Sequence, residues 1–487
     1  MHKKSFYITT TIPYVNADPH IGFALELVQS DAIARYQRLT GREVFFTTGT
    51  DEYGQKIWEA SMKEGKTVEA YVDGYAQKYI NLSKVLNISL DNFIRTTSPE
   101  HIKAAQEFWR LCDEAGDIYK KKYKGSYCVG CESFKTERDL DENGKCLLHP
   151  TLDIQTLEEE NYFFKLSKYK DKLLKYLAQE KSVIPEWRRK EAMEYVTNAM
   201  EDFSISRTKE RLAWGIPIPG DASQVMYVWF GAFVNYISSL GWPADPDKFK
   251  KFWTDGDTVQ TAGKDMVKFQ SVMWQGMLMS AGLETTDTIV YHGFITGEGG
   301  VRMSKSLGNV INPEEVAREY GADALRYFLL REVSAFEDTP FTMERFKESY
   351  NANLANGLGN LTSRITAMAT TYNVVKNNFP AYSDALEIYR SDGYNFSTSI
   401  EMFDLKKSMD LIWFQIQLLD KQIQLDQAFK EIKKDEIKGK KLIQEYLDRL
   451  FIIALLLASF MPNISEKIQQ LIKENKKPET PLFPRKD

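Results

Sequence analysis

The first fifty residues restrict the fold most, because they predict a strand, a helix and a second strand in succession. Residues 5–12 (SFYITTTI) and 43–48 (EVFFTT) have strand composition, and residues 21–39 between them carry apolar side chains at helical spacing. A strand, a crossover helix and a second strand form the unit that joins parallel strands. Further strands are predicted at 258–261 and 288–291. We therefore expect an α/β domain with an open parallel sheet.

Length and composition leave room for more than one domain. The chain has 487 residues, of which 43% are hydrophobic, enough for about three domains. The most apolar window, 450–461 (LFIIALLLASFM), is shorter than the ~20 residues of a membrane span, and the N-terminus has no signal-peptide pattern. The prediction is a cytoplasmic protein without a membrane partner. A net charge of −5 does not indicate a nucleic-acid partner, but it does not exclude a local basic face.

Three of the four cysteines fall in one short window with a histidine. Cys128 and Cys131 form C-x-x-C, and Cys146 and His149 form C-x-x-H after fourteen intervening residues. Such spacings suit one tetrahedral Zn²⁺ held on two tight turns. The alternative is two unrelated cysteine turns in a reducing compartment. Four protein ligands leave no open position, so we predict one structural Zn²⁺.

This cysteine block separates the two parts of the predicted sheet. Strand composition returns at 226–230 (MYVWF), and from 343 onward the pattern is helical throughout. The predicted domains are 1–117, the first half of the α/β catalytic domain; 118–213, a connective insertion with a zinc knuckle at 128–149; 214–342, the second half, with a glycine-rich loop at 297–309; and 343–487, an all-α bundle.

Two short signatures predict a phosphate site. His20 and Gly22 lie where the first helix begins, and the N-terminus of a helix presents unpaired N–H groups to an anion. Arg302 and Lys305 lie on the glycine-rich loop, which supplies two cations that can stabilise a departing pyrophosphate. A surface histidine beside a turn and an ordinary basic loop are the alternative interpretations.

Taken together, these features resemble the class I aminoacyl-tRNA synthetases, and among them the bacterial-type methionyl-tRNA synthetases. The resemblance spans the chain and rests on FYITTTIPYVNADPHIG, RYQRLTGREVFFTTGTDEYGQKI, YCVGCESFKTERDL, ISRTKERLAWGIPIP, YVWF, AGKDMVKF and MSKSLGN. It implies a Rossmann-type catalytic domain, a zinc-bearing connective insertion and a helical anticodon-binding domain. It also implies an ATP-dependent methionine–tRNA ligase.

The resemblance assigns residues to each substrate. Those implied for L-methionine are Ile12, Tyr14, Asp51, Trp229, Tyr236 and Gln270. Asp51 is expected to bind the α-amino group, with Arg207 as its ion-pair partner. Without the resemblance, Trp229 would be interpreted as a core residue of a strand. Those implied for ATP, bound as its Mg²⁺ complex, are His20, Gly22, Gly263, Asp265, His292 and Lys305, with Arg302 beside Lys305.

The partners implied by the resemblance are the initiator and elongator methionine tRNAs. Asn360 and Arg364 lie four residues apart on one predicted helix face, and Phe429 could stack on an anticodon base. Phe429 is equally compatible with a place in the core of the bundle. The predicted oligomeric state is a monomer.

Five positions depart from the pattern of the family. Arg302 replaces a lysine and keeps its charge, and the other four change the chemistry of the side chain. Phe23, Tyr53 and Gln270 stand where histidine is usual, and Gly231 stands where aspartate is usual. These departures leave open a catalytically impaired relative that binds tRNA without charging it. A transferase that uses the same fold on a small molecule is a second alternative. An anticodon-binding helical bundle would have no role in such a transferase, so tRNA binding would distinguish the two.

Overall fold

The computed structural model of the protein describes residues 3–130, 133–135, 137–148, 150–301, 303, 310–391 and 396–486. They form two compact units. Unit 1 comprises 1–18, 47–80 and 91–291, and unit 2 comprises 19–46, 81–90 and 292–487.

Fifteen strands lie within the described residues. They are β1 Ser5–Thr9, β2 Glu43–Thr50, β3 Asn92–Arg95, β4 Ile118–Cys128, β5 Ser133–Lys135, β6 Ile154–Phe164, β7 Val183–Ile184, β8 Phe203–Ser204, β9 Ser206–Thr208, β10 Pro217–Ile218, β11 Asp221–Met226, β12 Asp257–Gly263, β13 Thr288–His292, β14 Ile295–Thr296 and β15 Thr339–Pro340.

A six-stranded sheet with the order β3-β2-β1-β12-β13-β7 forms the centre of unit 1. Its pairs β1/β12, β2/β3 and β13/β7 are parallel, and β1 is buried along its whole length. Burial on both faces explains why β1 reads as a continuous apolar and Thr-rich run rather than an alternating one. The predicted parallel α/β sheet is confirmed. Strands β3 and β7 were not predicted, because they are only four and two residues long.

The prediction of a strand at 226–230 is wrong. β11 ends at Met226, and Val228–Phe233 is a short helix. β11 itself belongs to a separate three-stranded antiparallel sheet with β9 and β10, so the parallel sheet resumes only at β12. A short apolar run is compatible with either a buried strand or a buried helix, and periodicity alone cannot separate the two.

The connective region contains a long antiparallel ribbon. β4 and β6 pair over eleven positions, from Ile118 opposite Phe164 to Cys128 opposite Ile154. Lysines of β4 lie opposite glutamates of β6, as at Lys122 and Glu160. Opposite charges across a ladder favour this register. β5 and β8 extend the ribbon into a four-stranded sheet.

Helices make up most of the remaining described structure. Up to 291 they are α1 Ile21–Leu39, α2 Gln55–Lys63, α3 Val68–Val85, α4 Pro99–Glu114, α5 Lys170–Leu177, α6 Glu186–Asn198, α7 Val228–Phe233, α8 Asn235–Ser238, α9 Pro246–Phe249 and α10 Gln275–Ser280. Short 3₁₀ and π-helical turns include Lys264–Met266 and Phe269–Trp274. Capping follows the sequence: the Ser98 hydroxyl accepts the His101 N–H, and Pro99 occupies the first position of α4.

Unit 2 is predominantly helical in the described residues after 292, and from 343 onward these residues form helices without a strand, as predicted. Its helices there are α11 Pro313–Tyr320, α12 Ala322–Tyr327, α13 Met343–Ser349, α14 Asn360–Thr371, α15 Tyr382–Ser391, α16 Phe396–Glu401, α17 Leu405–Asp426, α18 Ala428–Glu431, α19 Glu436–Leu457 and α20 Pro462–Lys473. Leu450 and Phe451 of the most apolar stretch are buried in α19. None of the helices in the described ranges has the length and apolar character needed to cross a membrane.

Candidate active site

Three aromatic rings, those of Tyr14, Trp229 and Phe269, meet in unit 1. Trp229 stacks on Phe269 with ring centroids 4.5 Å apart and planes inclined by 14°. Tyr14 contacts Trp229 edge to face, with centroids 6.5 Å apart. All three side chains are half-buried, which leaves ring surface accessible to a ligand. Flat, polarisable walls of this kind suit a thioether side chain.

Phe269 was not predicted as a site residue. It begins the π-helical turn Phe269–Trp274, which also carries Gln270. Its only signal in the sequence is its place in the AGKDMVKF segment, directly before Gln270. Its contact with Trp229, forty positions earlier in the chain, becomes visible only in the fold.

A buried hydrogen bond joins two residues that were predicted to bind methionine. Gln270 Nε2 donates to the Tyr236 hydroxyl oxygen at 2.8 Å. Since that oxygen accepts from the amide, the phenol can use its own proton as a donor toward another acceptor. The backbone of Tyr236 is held as well, because its carbonyl accepts from the Tyr7 hydroxyl at 2.8 Å.

Backbone hydrogen bonds place Tyr14 and Asp51, both predicted to bind methionine, side by side. Tyr14 and Asp51 form an isolated parallel bridge, in which Asp51 N–H donates to Pro13 O at 2.9 Å and Val15 N–H donates to Asp51 O at 3.3 Å. Asp51 is buried, and its Oδ1 accepts from Thr96 Oγ1 at 3.4 Å. A buried carboxylate beside an aromatic pocket is a suitable acceptor for an ammonium group. Ile12, one residue before Pro13, is half-buried on the same loop.

A network around Glu52 fixes this loop, and sequence reasoning missed it. The Glu52 side chain is fully buried and accepts from Arg95 Nε at 2.7 Å and from Thr50 Oγ1 at 2.7 Å. Its backbone carbonyl accepts from Trp214 Nε1 at 2.6 Å. Tyr53 packs on Trp214 with ring centroids 5.2 Å apart. The tyrosine in the usual place of histidine is therefore part of this packing, and burial, followed by Glu52 and Asp51, raises its pKa to about 12.

Arg207, the predicted partner of Asp51, lies buried in β9. Its guanidinium lies over the Tyr227 ring, 4.4 Å from the centroid, and its Nη1 donates to Ser206 O at 2.6 Å. Its pairing with Asp51 stays a prediction. Gly231, where aspartate is usual, is buried in α7, and a Cβ there would lie 3.0 Å from Ile216 Cδ1. Position 231 therefore faces an aliphatic side chain.

Gly263 and Asp265 lie where β12 ends in the 3₁₀ turn Lys264–Met266. Gly263 is buried and Asp265 is exposed. The carboxyl ends of strands are where ligands bind in open α/β sheets, which agrees with the predicted ribose contacts.

His20 caps the first helix of unit 2 with its own side chain. Its Nδ1 accepts from Gly22 N at 3.1 Å and from Phe23 N at 3.3 Å. A neutral ring that accepts at Nδ1 carries its proton on Nε2, so His20 presents a donor beside the N-terminus of α1. A Cβ at Gly22 would lie 3.0 Å from two atoms of the His20 ring, so glycine permits this cap. Phe23 is buried.

Comparisons with known proteins agree with this geometry. The sequence profile of the family described as tRNA synthetases class I (M) matches residues 6–153 and 142–366. The chain belongs to this family. Curated relatives named methionine–tRNA ligase include the protein of Fusobacterium nucleatum, 37% identical over 96% of this chain and 74% of the relative. Another, from Nostoc sp., is 37% identical over 96% of this chain and 90% of the relative.

Solved structures of class I synthetases give the same result. A Mycobacterium tuberculosis methionyl-tRNA synthetase in complex with methionyl-adenylate superimposes with a TM-score of 0.90 at 34% identity, covering 99% of this chain and 100% of that one. The apo form of the Mycobacterium tuberculosis enzyme gives 0.83 at 31% identity. The predicted family and the class I synthetase fold are therefore confirmed.

Two of the four residues of the predicted zinc knuckle lie within the described part of the chain. Cys128 ends β4 and Cys146 forms a β-bridge with Leu140; both thiols are buried and neither is in a disulfide. Cys131 and His149 lie outside the described residues. Among those that are described, no three His, Cys, Asp or Glu side chains are grouped to hold a metal ion. Buried thiols at this spacing fit a structural Zn²⁺, and the site stays a prediction.

The helical domain of the synthetase carries the three predicted anticodon residues. Asn360 and Arg364 lie on α14, and Arg364 Nη1 pairs with Asp420 Oδ1 at 2.6 Å. Phe429 on α18 is 47% exposed, so its ring is accessible rather than part of the bundle core. Gln427, with φ of 46°, ends α17 and turns the chain into α18. The loop cations Arg302 and Lys305 lie outside the residues that the structure describes.

Proposed function

We propose that this protein is a methionine–tRNA ligase that activates L-methionine with ATP and transfers it to methionine tRNA. The observation that carries the proposal is the aromatic pocket of Tyr14, Trp229 and Phe269, with the Tyr236–Gln270 pair and the Asp51 carboxylate in the same unit. The thioether lies against the rings and the ammonium group lies at Asp51. Membership of the methionyl class I family supports the same substrate.

The first step joins the methionine carboxylate to AMP. A carboxylate oxygen attacks the α-phosphorus of Mg-ATP in line, and the bond from that phosphorus to the bridging oxygen breaks, releasing pyrophosphate. His20 Nε2–H and the N-terminus of α1 stabilise the charge that develops on phosphate oxygens. Gly263 and Asp265 bind the ribose, and Arg302, Lys305 and His292 complete the predicted nucleotide residues. The protein contributes positioning and electrostatics and forms no covalent intermediate.

The second step uses the adenylate to charge the tRNA. A hydroxyl of the terminal ribose attacks the acyl carbon, methionine is transferred, and AMP leaves. Asn360, Arg364 and Phe429 are proposed to contact the anticodon, with the exposed Phe429 ring available for stacking on a splayed base. Cys128, Cys131, Cys146 and His149 are proposed to hold one Zn²⁺, which would supply rigidity to the connective insertion. We further propose a cytoplasmic monomer.

Amino-acid-dependent exchange of pyrophosphate into ATP, measured without tRNA, tests the proposal. Methionine is expected to drive exchange, while leucine, isoleucine, valine and cysteine are not. Exchange with another amino acid would overturn the pocket assignment. If the folded protein exchanges with none of them but binds methionine tRNA, the impaired relative is correct and the ligase is refuted. The residues that depart from the family pattern argue against that result, because each has a structural place. Phe23 is buried, Tyr53 packs on Trp214, and Gln270 donates to Tyr236.

A further inference from the structure

Two buried contacts in unit 2 connect α1 to His292 and to Arg326 of α12, the two ends of segment 292–326. His292 Nε2 lies 3.0 Å from Glu26 Oε2, and both side chains are at most 7% exposed. Arg326 Nη1 lies 2.7 Å from Asp31 Oδ2, and both are fully buried. The start and the end of one 35-residue segment are therefore both attached to the helix that His20 caps.

The two attachment points lie close together on α1 but on different faces. Glu26 and Asp31 are five residues apart, so they are separated by about 7.5 Å along the helix axis and by roughly 140° around it. Contacts at two such points resist both sliding and rotation of α1 against the segment. A single contact would leave a rotation about that point available.

The first contact joins a ring nitrogen of His292 to the Glu26 carboxyl group. His292 Nδ1 lies 2.8 Å from Gly293 O, and a carbonyl oxygen can only accept. Nδ1 is therefore a donor, and the ring is oriented with Nε2 toward Glu26. The contact between Nε2 and Glu26 is buried at both ends, so solvent and salt screen it little.

The second contact is part of a larger network centred on Arg326. Its Nε donates to Phe460 O at 2.7 Å and its Nη1 donates to Leu86 O at 3.3 Å. Asp31 also accepts from Ser89 N at 2.7 Å and from Arg35 Nε at 2.7 Å. Burial alone would raise the pKa of Asp31, but Arg326 and then Arg35 outweigh it and hold that pKa below its ordinary value. Arginine is required here because lysine cannot present the same fork of donors.

We propose that Glu26 and the Asp31–Arg326 pair are positioning residues for adenylate formation, because they fix α1 against His292 and α12. They act through α1, the helix that His20 caps. None of the three residues is required to touch ATP. The proposal rests on the proposed function, since it assigns these pairs to the activation step.

The test compares Glu26→Gln, Asp31→Asn and Arg326→Lys in the full-length chain. Three quantities are measured on each variant: the steady-state rate of pyrophosphate exchange, the thermal unfolding temperature, and the fluorescence change that methionine induces. Each substitution is expected to lower the kcat of exchange by about 10- to 100-fold, with KM for methionine changed less than about 2-fold. Each contact would then contribute roughly one or two factors of ten to the rate of adenylate formation. The matched control is Asp117→Asn, which removes a fully buried carboxylate that pairs with Lys168 at 2.5 Å.

The double substitution Glu26→Gln/Asp31→Asn adds a second criterion. If the two contacts fix α1 as one rigid element, loss of either contact releases most of it. The double variant should then lose less than the product of the two single losses. Independent, fully multiplicative losses would overturn the proposal, as would wild-type kcat in folded single variants. A loss equal to that of Asp117→Asn would also overturn it, because general destabilisation would then be sufficient.

Hydrogen exchange separates failure of this inference from failure of the proposed function. Amides of residues 22–24 and 295–296 are expected to exchange faster in Asp31→Asn and Arg326→Lys than in the wild type. This readout does not require activity. If the wild type shows no methionine-dependent exchange of pyrophosphate, the proposed function fails. If amide protection is unchanged in the variants, the inference fails.

Discussion

Gln270 donates its side-chain amide to the Tyr236 hydroxyl, 2.8 Å away, in the buried part of the aromatic pocket. An amide donates through its nitrogen at every pH, whereas the histidine usual at this position changes its donor pattern on titration. The pair gives Tyr236 one fixed orientation. Two neighbouring helical segments, α8 and Phe269–Trp274, are connected by it.

Replacing Gln270 by leucine is expected to raise KM for methionine roughly 5- to 100-fold, because the buried Tyr236 hydroxyl loses its donor. Steady-state exchange with varied methionine measures the effect. Gln270→His, which restores a donor, should stay within about 5-fold of the wild type. Gln415→Leu on α17, another buried glutamine, is the control. An unchanged KM in Gln270→Leu would show that the hydrogen bond does not orient the pocket.

Replacing Phe269 by alanine is expected to weaken methionine activation, because Trp229 loses the ring stacked on it at 4.5 Å. An aromatic pair contributes about 0.5–1.5 kcal/mol beyond its buried area, so kcat/KM for methionine should fall at least ~3- to 10-fold. Phe269→Tyr keeps the ring and should retain most activity. Equal losses in both variants would contradict a stacking role.

Replacing His20 by asparagine separates its role as the N-cap of α1 from its role as an Nε2–H donor. Asparagine is a preferred N-cap, so stability should stay within about 0.5 kcal/mol, while the exchange rate should fall roughly 10²- to 10³-fold. His20→Ala should lose a similar rate and, in addition, about 1 kcal/mol of stability through the lost cap. Chemical unfolding and pyrophosphate exchange are measured on both. Wild-type activity in His20→Asn would refute a role for the Nε2 donor.

His101 predicts a defined pH dependence of stability. Its ring is fully buried on α4 and its Nδ1 lies 2.9 Å from Ser238 Oγ. Burial lowers the pKa of His101 to about 4 from the ordinary value of 6.5. The folded state thus favours the neutral ring, and this stability is present above pH 6.5 and is lost as pH falls toward 4. The full loss is about 3 kcal/mol.

His101→Gln cannot take up the proton and should show a shallower slope of unfolding free energy between pH 6.5 and 4. Urea unfolding at several pH values measures it. Equal slopes in the His101→Gln variant and the wild type would show that His101 does not titrate with unfolding.

The sequence by itself determined the family, the parallel sheet, the helical C-terminal region and the helix that begins after His20. Each depends on local information, such as a period of apolar residues, a capping residue or a contiguous motif. It failed at 226–230, because α7 begins at Val228 and a run of six residues has no period that distinguishes strand from helix.

Only the tertiary structure decided the stacking of Phe269 on Trp229, the burial of Glu52 beneath Arg95, and the attachment of α1 to segment 292–326. Glu26 and His292 are 266 positions apart, so no local pattern relates them. Contacts of this kind form because packing removes several polar groups from water at once, and each buried donor or acceptor must then find a partner among whichever residues the fold brings near.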